Sequence, residues 1–277
     1  MAIQKRNNLK EKIIDDLLLT GFPLEVFVSN VLSKADWRAE ASPLYIDPDN
    51  KNTRELDIYA LKIYNKEPRD NTSLFSHLII QCKKSSKPWV FFDNAGADYF
   101  WIGFYSLKCN KDGFISKLCN EGTSIGFTNH RYKNVKKHRS FHTAFKEPNQ
   151  ASGIYEALIT SCKALEYYKN LYGIPGNTAH FLTPIVVLDG TLWSASMSKT
   201  SKIKIKQVNK LVVKFDYIFG DDKKPNKYTY QYVEVITRKE FERRINEIES
   251  DNIALLNSWV NFLNLEPVKD VSVIDIK

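Results

Sequence analysis

One segment in the second half of the chain constrains the fold more than any other. FLTPIVVLDG at 181–190 is almost continuously apolar and ends in an Asp-Gly pair, which is typical of a turn. A strand with one solvent-facing side alternates apolar and polar residues, whereas a strand covered on both faces is apolar throughout. The segment therefore predicts a strand inside a sheet that has helices on both faces. With 277 residues, the chain is long enough to bury such a core.

Several stretches show the apolar spacing of helices. Residues 13–20 and 23–34 form a consecutive pair separated by Gly21, and residues 152–172 end beside Gly173, a residue favoured after the last helical turn. In the C-terminal part, Thr237 and Glu240 form a capping-box pattern. This pattern predicts a helix to about residue 248, followed by a last helix over 252–264.

Strand patterns occupy the segments between these helices. Residues 37–46, 54–64 and 77–83 are predicted as strands in the first half of the chain, and residues 211–219 and 228–236 as a hairpin near its end. The element order from residue 23 to residue 189 is thus helix, three strands, helix, strand. The expected fold class is α/β, with a mixed central sheet flanked by helices.

No linker or repeat divides the chain, so residues 1–277 are expected to form a single domain. Residues 84–150 lack a clean period and are interpreted as a basic, aromatic insertion within the core, and residues 191–277 as a C-terminal extension. The four cysteines show no zinc-binding spacing. Lys202, Lys204 and Lys206 alternate with isoleucines and suggest a charged edge strand.

The charge balance favours an anionic partner. The formal net charge is +8 and the isoelectric point is about 9.1, which suits nucleic acid or an acidic membrane surface. A general lysine enrichment of the coding sequence explains the charge as well. No signal peptide and no apolar run of transmembrane length is evident, so we expect a soluble, cytoplasmic protein without a membrane partner.

Polar side chains interrupt two of the predicted strands. Alternation in 54–64 places Glu55 and Asp57 on one face, and alternation in 77–83 places Gln81 and Lys83 on one face. Asp57 is an oxygen ligand of the kind that Mg²⁺ prefers, and the Gln81 amide or a neighbouring main-chain carbonyl can add to it. The Lys83 ammonium can orient a water molecule or neutralise a phosphate. Together they predict a phosphodiester-cleaving centre.

These residues resemble the motifs of the PD-(D/E)xK nuclease superfamily, whose fold is restriction-endonuclease-like, in its Mrr-like variant with glutamine in the third motif. The resemblance is carried by Glu25 in a helix, RELD at 54–57 and QCK at 81–83, together with the element order. It implies that Asp57 is the metal ligand, Gln81 the substituted ligand and Lys83 the catalytic lysine. It also implies that Glu25 is an acid that binds the metal or positions water. The family's acidic third-motif residue is absent here.

The resemblance implies a DNA endonuclease that depends on Mg²⁺ or Mn²⁺, of the kind found in prokaryotic antiviral defence or restriction. Because an uncontrolled nuclease harms its own cell, we expect restraint by a regulatory protein, by homodimerisation or by substrate modification. Two alternatives remain open: a non-catalytic nucleic-acid-binding subunit of a larger assembly, and an RNA-cleaving enzyme on the same fold.

Structural interpretations stand beside the functional ones. Glu25 also suits the first turn of its helix, where a carboxylate meets the positive end of the helix dipole. Glu55 is either a supporting acid or an exposed charge at a strand end, and it is placed outside the primary site. His138 and His142 as metal ligands are supported by no partner spacing.

A second candidate surface lies in the basic, aromatic segment 130–146, which contains no acidic residue. Such a mixture suits neutralisation of a nucleic-acid backbone together with stacking, although a solvated basic loop has the same composition. The candidate DNA-binding residues are Arg131, Lys133, Lys136, Lys137 and Arg139. We expect this segment to cover the active side of the sheet.

Overall fold

The structure is a computed structural model of the chain. It describes residues 2–66, 72–93, 107–109, 137–147, 153–173, 176–198, 200–220, 227–263 and 271–273.

The described chain folds as a mixed α/β structure in which a large sheet is covered by helices on both faces. The helices are α1 (Ala2–Leu19), α2 (Phe22–Lys34), α3 (Gly153–Leu171) and α4 (Arg238–Phe262). The strands of the first half are β1 (Arg38–Ala41), β2 (Leu44–Ile46), β3 (Thr53–Glu55), β4 (Ile58–Lys66), β5 (Thr72–Lys84), β6 (Trp89–Asp93), β7 (Leu107–Cys109) and β8 (Lys137–Thr143). Those of the second half are β9 (Asn177–Asp189), β10 (Leu192–Met197), β11 (Ile203–Val208), β12 (Lys210–Phe219), β13 (Lys227–Thr237) and β14 (Val271–Val273).

The main sheet has 12 strands in the order β1-β4-β5-β9-β13-β12-β8-β6-β10-β11, with β14 beside β4 and β7 beside β9. Strands β1, β4 and β5 are antiparallel neighbours, whereas β9 runs parallel to both β5 and β13. The predicted hairpin is confirmed as the antiparallel pair β12 and β13. Strands β2 and β3 form a separate two-stranded sheet.

The strand predicted from FLTPIVVLDG is confirmed as β9, which is buried along almost its whole length. Ile185 and Val187 point into one core with α2 and α4, and Val186 and Leu188 point into another with α3. Burial on both faces removes apolar area from water on both sides, which explains why this strand lacks polar alternation. The central strands are therefore rigid supports for residues at their ends.

The helices predicted over 23–34 and 152–172 are confirmed as α2 and α3. Helix α2 buries Leu24, Val28, Val31 and Leu32 against the sheet. Helix α3 buries its predicted stripe against the opposite face, including Ile154, Leu158, Ser161, Leu165 and Tyr168. Helix α1 is longer than the predicted 13–20, and its apolar residues Ile13, Leu17 and Leu18 remain about half exposed.

The predicted strands 37–46 and 54–64 are each divided in two. Ser42 has a positive φ of 53°, and Pro43 has no N–H to donate to a ladder. At this crossing the Ser42 N–H donates to Asp57 O over 2.9 Å, and the Leu56 N–H donates to Pro43 O over 3.0 Å. Strands β2 and β3 consequently leave the main sheet as a small hairpin.

The break also corrects the predicted faces of 54–64. Leu56 packs in the same buried cluster as Tyr59, whereas Ile58 and Ala60 pack in the cluster with α2 and α4. The single alternation over 54–64, from which Glu55 and Asp57 were predicted to share a face, therefore does not hold across the break. By contrast, β5 is unbroken, and Leu78, Ile80 and Cys82 share a core face as predicted.

The prediction of two C-terminal helices is wrong, because α4 is continuous from Arg238 to Phe262. Asn252, where the second helix was predicted to begin, has a tertiary partner: its amide donates to Ser76 Oγ over 2.9 Å. Thr237 precedes the helix as predicted but makes no side-chain cap. Glu240 pairs with Arg243 instead of completing a capping box.

Residues 84–150, interpreted as an insertion, contribute three strands to the main sheet. Strand β8 pairs with β6 and with β12, and β7 pairs with β9. Beyond them, β11 is the last of the described strands in the sheet order, so the edge-strand prediction is confirmed for Lys204 and Lys206, whereas Lys202 precedes the strand.

No single helix in the described ranges is both long and apolar enough to cross a membrane. The consecutive segments Asn8–Leu19 and Phe22–Lys34 reach the required length and apolarity only when taken together, and they are bent by 74°.

Candidate functional site

The predicted residues are held where several elements end on the same side of the sheet. Asp57 immediately precedes β4, and Lys83 lies at the end of β5. Because β4 and β5 are antiparallel, the start of one strand lies beside the end of the other. Glu25, Asp57, Gln81 and Lys83 are called the carboxylate site below.

Asp57 is fixed directly to the Gln-Cys-Lys segment of β5. Its Oδ2 atom accepts the backbone N–H of Cys82, the residue between Gln81 and Lys83, over 2.6 Å. Ile58 and Ile80 are the last residues paired between the two strands. Beyond them the backbone of Asp57 bonds to Ser42 instead of β5, and the Asp57 side chain takes over the hydrogen bond to β5. This bond joins two motifs that are 25 residues apart in sequence.

Glu25 lies in the first turn of α2 and is half-buried. Burial, together with the negative charges of Asp57 and Glu55, raises its pKa above the usual value, while Lys83 acts in the opposite direction. A Cβ atom added to Gly21 would lie 3.3 Å from Glu25 Oε1, so the carboxylate is close to the start of its helix. The structure therefore brings Glu25 into the electrostatic environment of Asp57.

The Asp57 carboxyl has an environment of mixed sign. Burial raises its pKa above the usual value, and Glu55 and Glu156 add to this effect. The hydrogen bond from Cys82 and the charge of Lys83 lower the pKa. Raised pKa values show that these carboxylates lack full charge compensation inside the protein, which is a frequent property of functional sites.

Gln81 is 2% exposed, on the face of β5 that it shares with Ile79 and Lys83. Its Nε2 atom is buried without a hydrogen-bond partner among the described residues. An unpaired buried amide costs folding free energy, and a strand interior would ordinarily carry an apolar residue here. Gln81 therefore has no evident structural justification within the described part of the chain.

Lys83 is 26% exposed and pairs with Glu156 of α3 over 3.5 Å. Sequence reasoning missed Glu156, whose only local signal is an acidic residue in the first turn of a helix. Because Glu156 is 69% exposed, the pair is held weakly. The Lys83 ammonium can thus exchange this carboxylate for a phosphate.

The backbone beyond Lys83 is held to the end of β9. The Ser85 N–H donates to Asp189 O over 3.0 Å, and a Cβ atom added to Gly190 would lie 2.6 Å from Ser85 O. Only glycine therefore fits at position 190 without a shift of the chain. Asp189 also pairs with Arg238 at the start of α4, over 3.5 Å. Sequence reasoning treated Asp189 and Gly190 only as a turn.

The donor chemistry of the carboxylate site suits a hard cation. Among the described residues, no group of three or more His, Cys, Asp or Glu side chains is close enough to hold a metal ion. Mg²⁺ usually takes one or two protein carboxylates and fills its other positions with water and substrate oxygens. Asp57 and Glu25, with the Gln81 amide oxygen, supply oxygen ligands of this kind.

Most of the predicted DNA-binding residues, namely Arg131, Lys133 and Lys136, lie outside the described residues, as does the side chain of Lys137. Arg139 lies on β8 and forms an ion pair with Asp216 of β12. Four strands separate β8 from β4 in the sheet order, so the described part of this segment does not cover the carboxylate site. Neither His138 nor His142 belongs to a metal-binding group of the described residues.

Comparisons of the chain with protein-family models, curated proteins and solved structures found no match.

Proposed function

We propose that this protein is a metal-dependent nuclease that hydrolyses phosphodiester bonds of DNA at the carboxylate site. The observation that carries the proposal is the hydrogen bond between Asp57 and the backbone of Cys82. The bond joins Asp57 to the residue that lies between Gln81 and Lys83, although the two motifs belong to different elements.

The order of elements supports the same proposal. Helix α2, strands β1, β4 and β5, helix α3 and strand β9 follow the order helix, three strands, helix, strand, with β2 and β3 as an additional hairpin. A restriction-endonuclease-like core has this order, and the proposed catalytic residues lie on the elements that the PD-(D/E)xK resemblance requires. A role in antiviral defence or restriction, with restraint by a partner, a second copy or substrate modification, is part of the proposal.

The residues have distinct proposed roles. A bound Mg²⁺ or Mn²⁺ ion would supply positive charge to the scissile phosphate and make a bound water more acidic. Asp57 and Glu25 would hold the cation, and Gln81 would add an amide oxygen. Lys83 leaves Glu156 and contacts the phosphate, where its charge stabilises the transition state. The raised pKa of Glu25 also suits a group that exchanges protons with water.

The structure also offers a different interpretation of the key hydrogen bond. Asp57 accepts a hydrogen bond from a β5 N–H just before β4 begins, and this bond is useful in a protein without catalysis. A non-catalytic nucleic-acid-binding subunit would retain this bond and would not need Lys83. The two functions differ in whether Asp57 and Lys83 are required for cleavage.

The test is cleavage of duplex DNA, single-stranded DNA and RNA by the purified chain with Mg²⁺ or Mn²⁺, and with EDTA. We expect metal-dependent cleavage of DNA that falls about 100-fold or more in Asp57→Asn and in Lys83→Ala. Asparagine retains an oxygen that can accept the Cys82 N–H, so the first variant is expected to fold. Lys239→Ala, at an exposed position in the first turn of α4, is the matched lysine control.

Full metal-dependent cleavage by both variants would exclude the proposed site. Salt-sensitive binding of nucleic acid without cleavage of any polymer would favour the non-catalytic subunit. Cleavage of RNA alone would retain the site and replace the substrate.

A further inference from the structure

A cavity lies towards the end of the sheet that is formed by β10 and β11. It has a volume of about 510 Å³ and is formed by β8, the β10–β11 hairpin, β12, β13 and α4. Ligand pockets have volumes of roughly 300–1,000 Å³, so the space is suited to a small molecule. We call it the lysine cavity, after Lys204, Lys206 and Lys210 in its lining.

The β10–β11 hairpin supplies one polar wall. Ser194 is paired in register with Lys206, and Ser196 with Lys204. Residues directly opposite each other in neighbouring strands share a face, and so do alternate residues of one strand. All four side chains therefore occupy the same face of the hairpin, and all four line the cavity.

The opposite wall carries charged side chains that already form ion pairs with one another. Arg244 of α4 is 2% exposed, and its Nε and one terminal nitrogen each donate to Glu234 of β13 over 2.7 Å. Lys210 donates to Glu247 over 2.7 Å, and Arg244 also contacts Glu247 over 3.1 Å. These groups fix the wall but add little net charge.

The two lysines of the β10–β11 hairpin differ from this wall. Lys204 and Lys206 are exposed and form no ion pair with any described residue. Among the described residues that line the cavity, the only acidic one is Glu234, which already forms an ion pair with Arg244. The described lining therefore has an excess of positive charge that is concentrated on one wall, so it favours an anion.

One imidazole and several apolar side chains complete the lining. The His138 imidazole lies 3.3 Å from Val212 O and 2.8 Å from Ser194 Oγ, so its ring orientation is fixed from both sides. Leu211 and Val212 of β12 add apolar surface to the same space. A pocket with cations on one wall and an apolar surface on another suits a molecule with phosphate groups attached to an apolar or aromatic part.

We propose that the lysine cavity binds a small phosphate-bearing ligand of nucleotide size, with its phosphates on Lys204 and Lys206. Two lysines on one wall favour a multiply charged group over a single carboxylate. The limited volume, bounded by five elements, favours a small molecule over a polymer, whose backbone needs an open track. The proposal does not depend on nuclease activity at the carboxylate site.

The simpler interpretation is that these lysines protect an edge strand from pairing with another chain. On the same strand, however, Ile203 is 60% exposed and Ile205 is 62% exposed. An edge that leaves two isoleucines this accessible is only partly protected by its charges. The position of both lysines in the lining of one cavity is the observation that protection alone does not explain.

The experiment is calorimetric titration of the full chain with ATP, inorganic tripolyphosphate and adenosine in buffer with EDTA, which prevents cleavage at a metal site. We expect saturable ATP binding, competition by tripolyphosphate and no binding of adenosine. Lys204→Gln combined with Lys206→Gln should weaken ATP binding about tenfold or more, because two charge contacts are lost. Lys202→Gln, on the same exposed stretch but outside the lining, should change it less than about twofold.

Both variants replace exposed side chains, so folding is not at risk. Absence of saturable ATP and tripolyphosphate binding at millimolar concentration would overturn the proposal. Equal ATP affinity in the double variant and the wild type would also overturn it, as would an equal loss in Lys202→Gln. If the double variant lost affinity only for a DNA oligonucleotide, the lysines would be a nucleic-acid contact and the small-ligand proposal would be wrong.

Discussion

Two charged clusters in this protein are compensated in opposite ways. Around Arg244, cations and carboxylates form ion pairs. Although burial acts to raise the pKa of Glu247, contact with Lys210, Arg243 and Arg244 lowers it below the usual value. Around Asp57, carboxylates gather from several elements. Burial and the negative charge of neighbouring carboxylates raise the pKa of Glu25 and of Asp57. The first arrangement stabilises the fold, whereas the second costs folding free energy and leaves charge available to a cation.

The difference extends to how each cluster is built. The Arg244 network joins α4 to β13 through residues whose hydrogen bonds are made inside the protein. The carboxylate site instead places side chains just before β4, near the end of β5 and in the first turn of α2. Its Lys83 pairs with Glu156, which is 69% exposed in the first turn of α3. The charged residues that stabilise the fold therefore lie between the sheet and its helices, whereas those of the candidate functional site lie at the ends of strands.

The largest stability effect is expected for Arg244→Met. This change leaves the Glu234 carboxylate buried without its bidentate partner, and it should reduce the free energy of unfolding by about 3–5 kcal/mol in urea denaturation. Arg243→Ala, which removes a largely exposed arginine of the same helix, should cost about 1 kcal/mol or less. Equal losses in the two variants would remove the distinction drawn for the Arg244 network. Adding Glu234→Gln to Arg244→Met should recover part of the loss.

A pH-dependent effect is expected from a third cluster, which is formed by Tyr59, His77 and His180. The Tyr59 hydroxyl lies 2.7 Å from His77 Nδ1, and His77 Nε2 lies 3.0 Å from His180 Nδ1. Burial lowers the pKa of both histidines below the usual value of 6.5. Because the unfolded chain binds these protons more readily, their contribution to stability is present above pH 6.5 and is lost as the pH falls towards the folded pKa values.

Urea denaturation at a series of pH values measures this effect. Stability should fall below pH 6.5 by about 1.4 kcal/mol for each unit by which a histidine pKa differs between the folded and unfolded states. His77→Gln should make the decline shallower, whereas His142→Gln, at an exposed position on β8, should leave it unchanged. An identical pH profile in His77→Gln would show that the buried pair does not control acid sensitivity.

The smallest effect, and the one with the opposite sign, is expected for Asp57→Asn. Above its raised folded pKa, the ionised Asp57 disfavours folding, so the uncharged variant should be more stable at neutral pH. The gain should shrink as the pH falls through the folded pKa, and it should vanish below 3.8, where the group is protonated in both states. Asp16→Asn on the exposed α1 should show no such gain. A destabilised Asp57→Asn protein would place Asp57 among the structural charges.

Much of the core could be predicted because its signal is local. Apolar periodicity in 23–34, 77–83, 152–172 and 181–189 identified α2, the end of β5, α3 and β9, and it assigned their buried residues correctly. Gln81 and Lys83 stood out because they interrupt one of these apolar runs. Each of these inferences needed only the residues of one element.

The failures share a different cause. The break before Asp57 depends on bonds to Ser42 and Pro43, and the continuity of α4 depends on the bond between Asn252 and Ser76. Neither partner is near in sequence, so no local pattern records the bond. The same limitation explains why Glu156 was missed beside Lys83, and why Lys204 and Lys206 were interpreted only as edge charges.

The sequence by itself determined which segments are buried and which polar residues are exceptional, because burial is encoded in the spacing of apolar side chains along one element. Tertiary structure alone decided that Asp57 bonds to Cys82 N–H and that the hairpin lysines share a cavity with Arg244. Those contacts join residues from separate elements, and only the packing of the sheet and its helices brings them together.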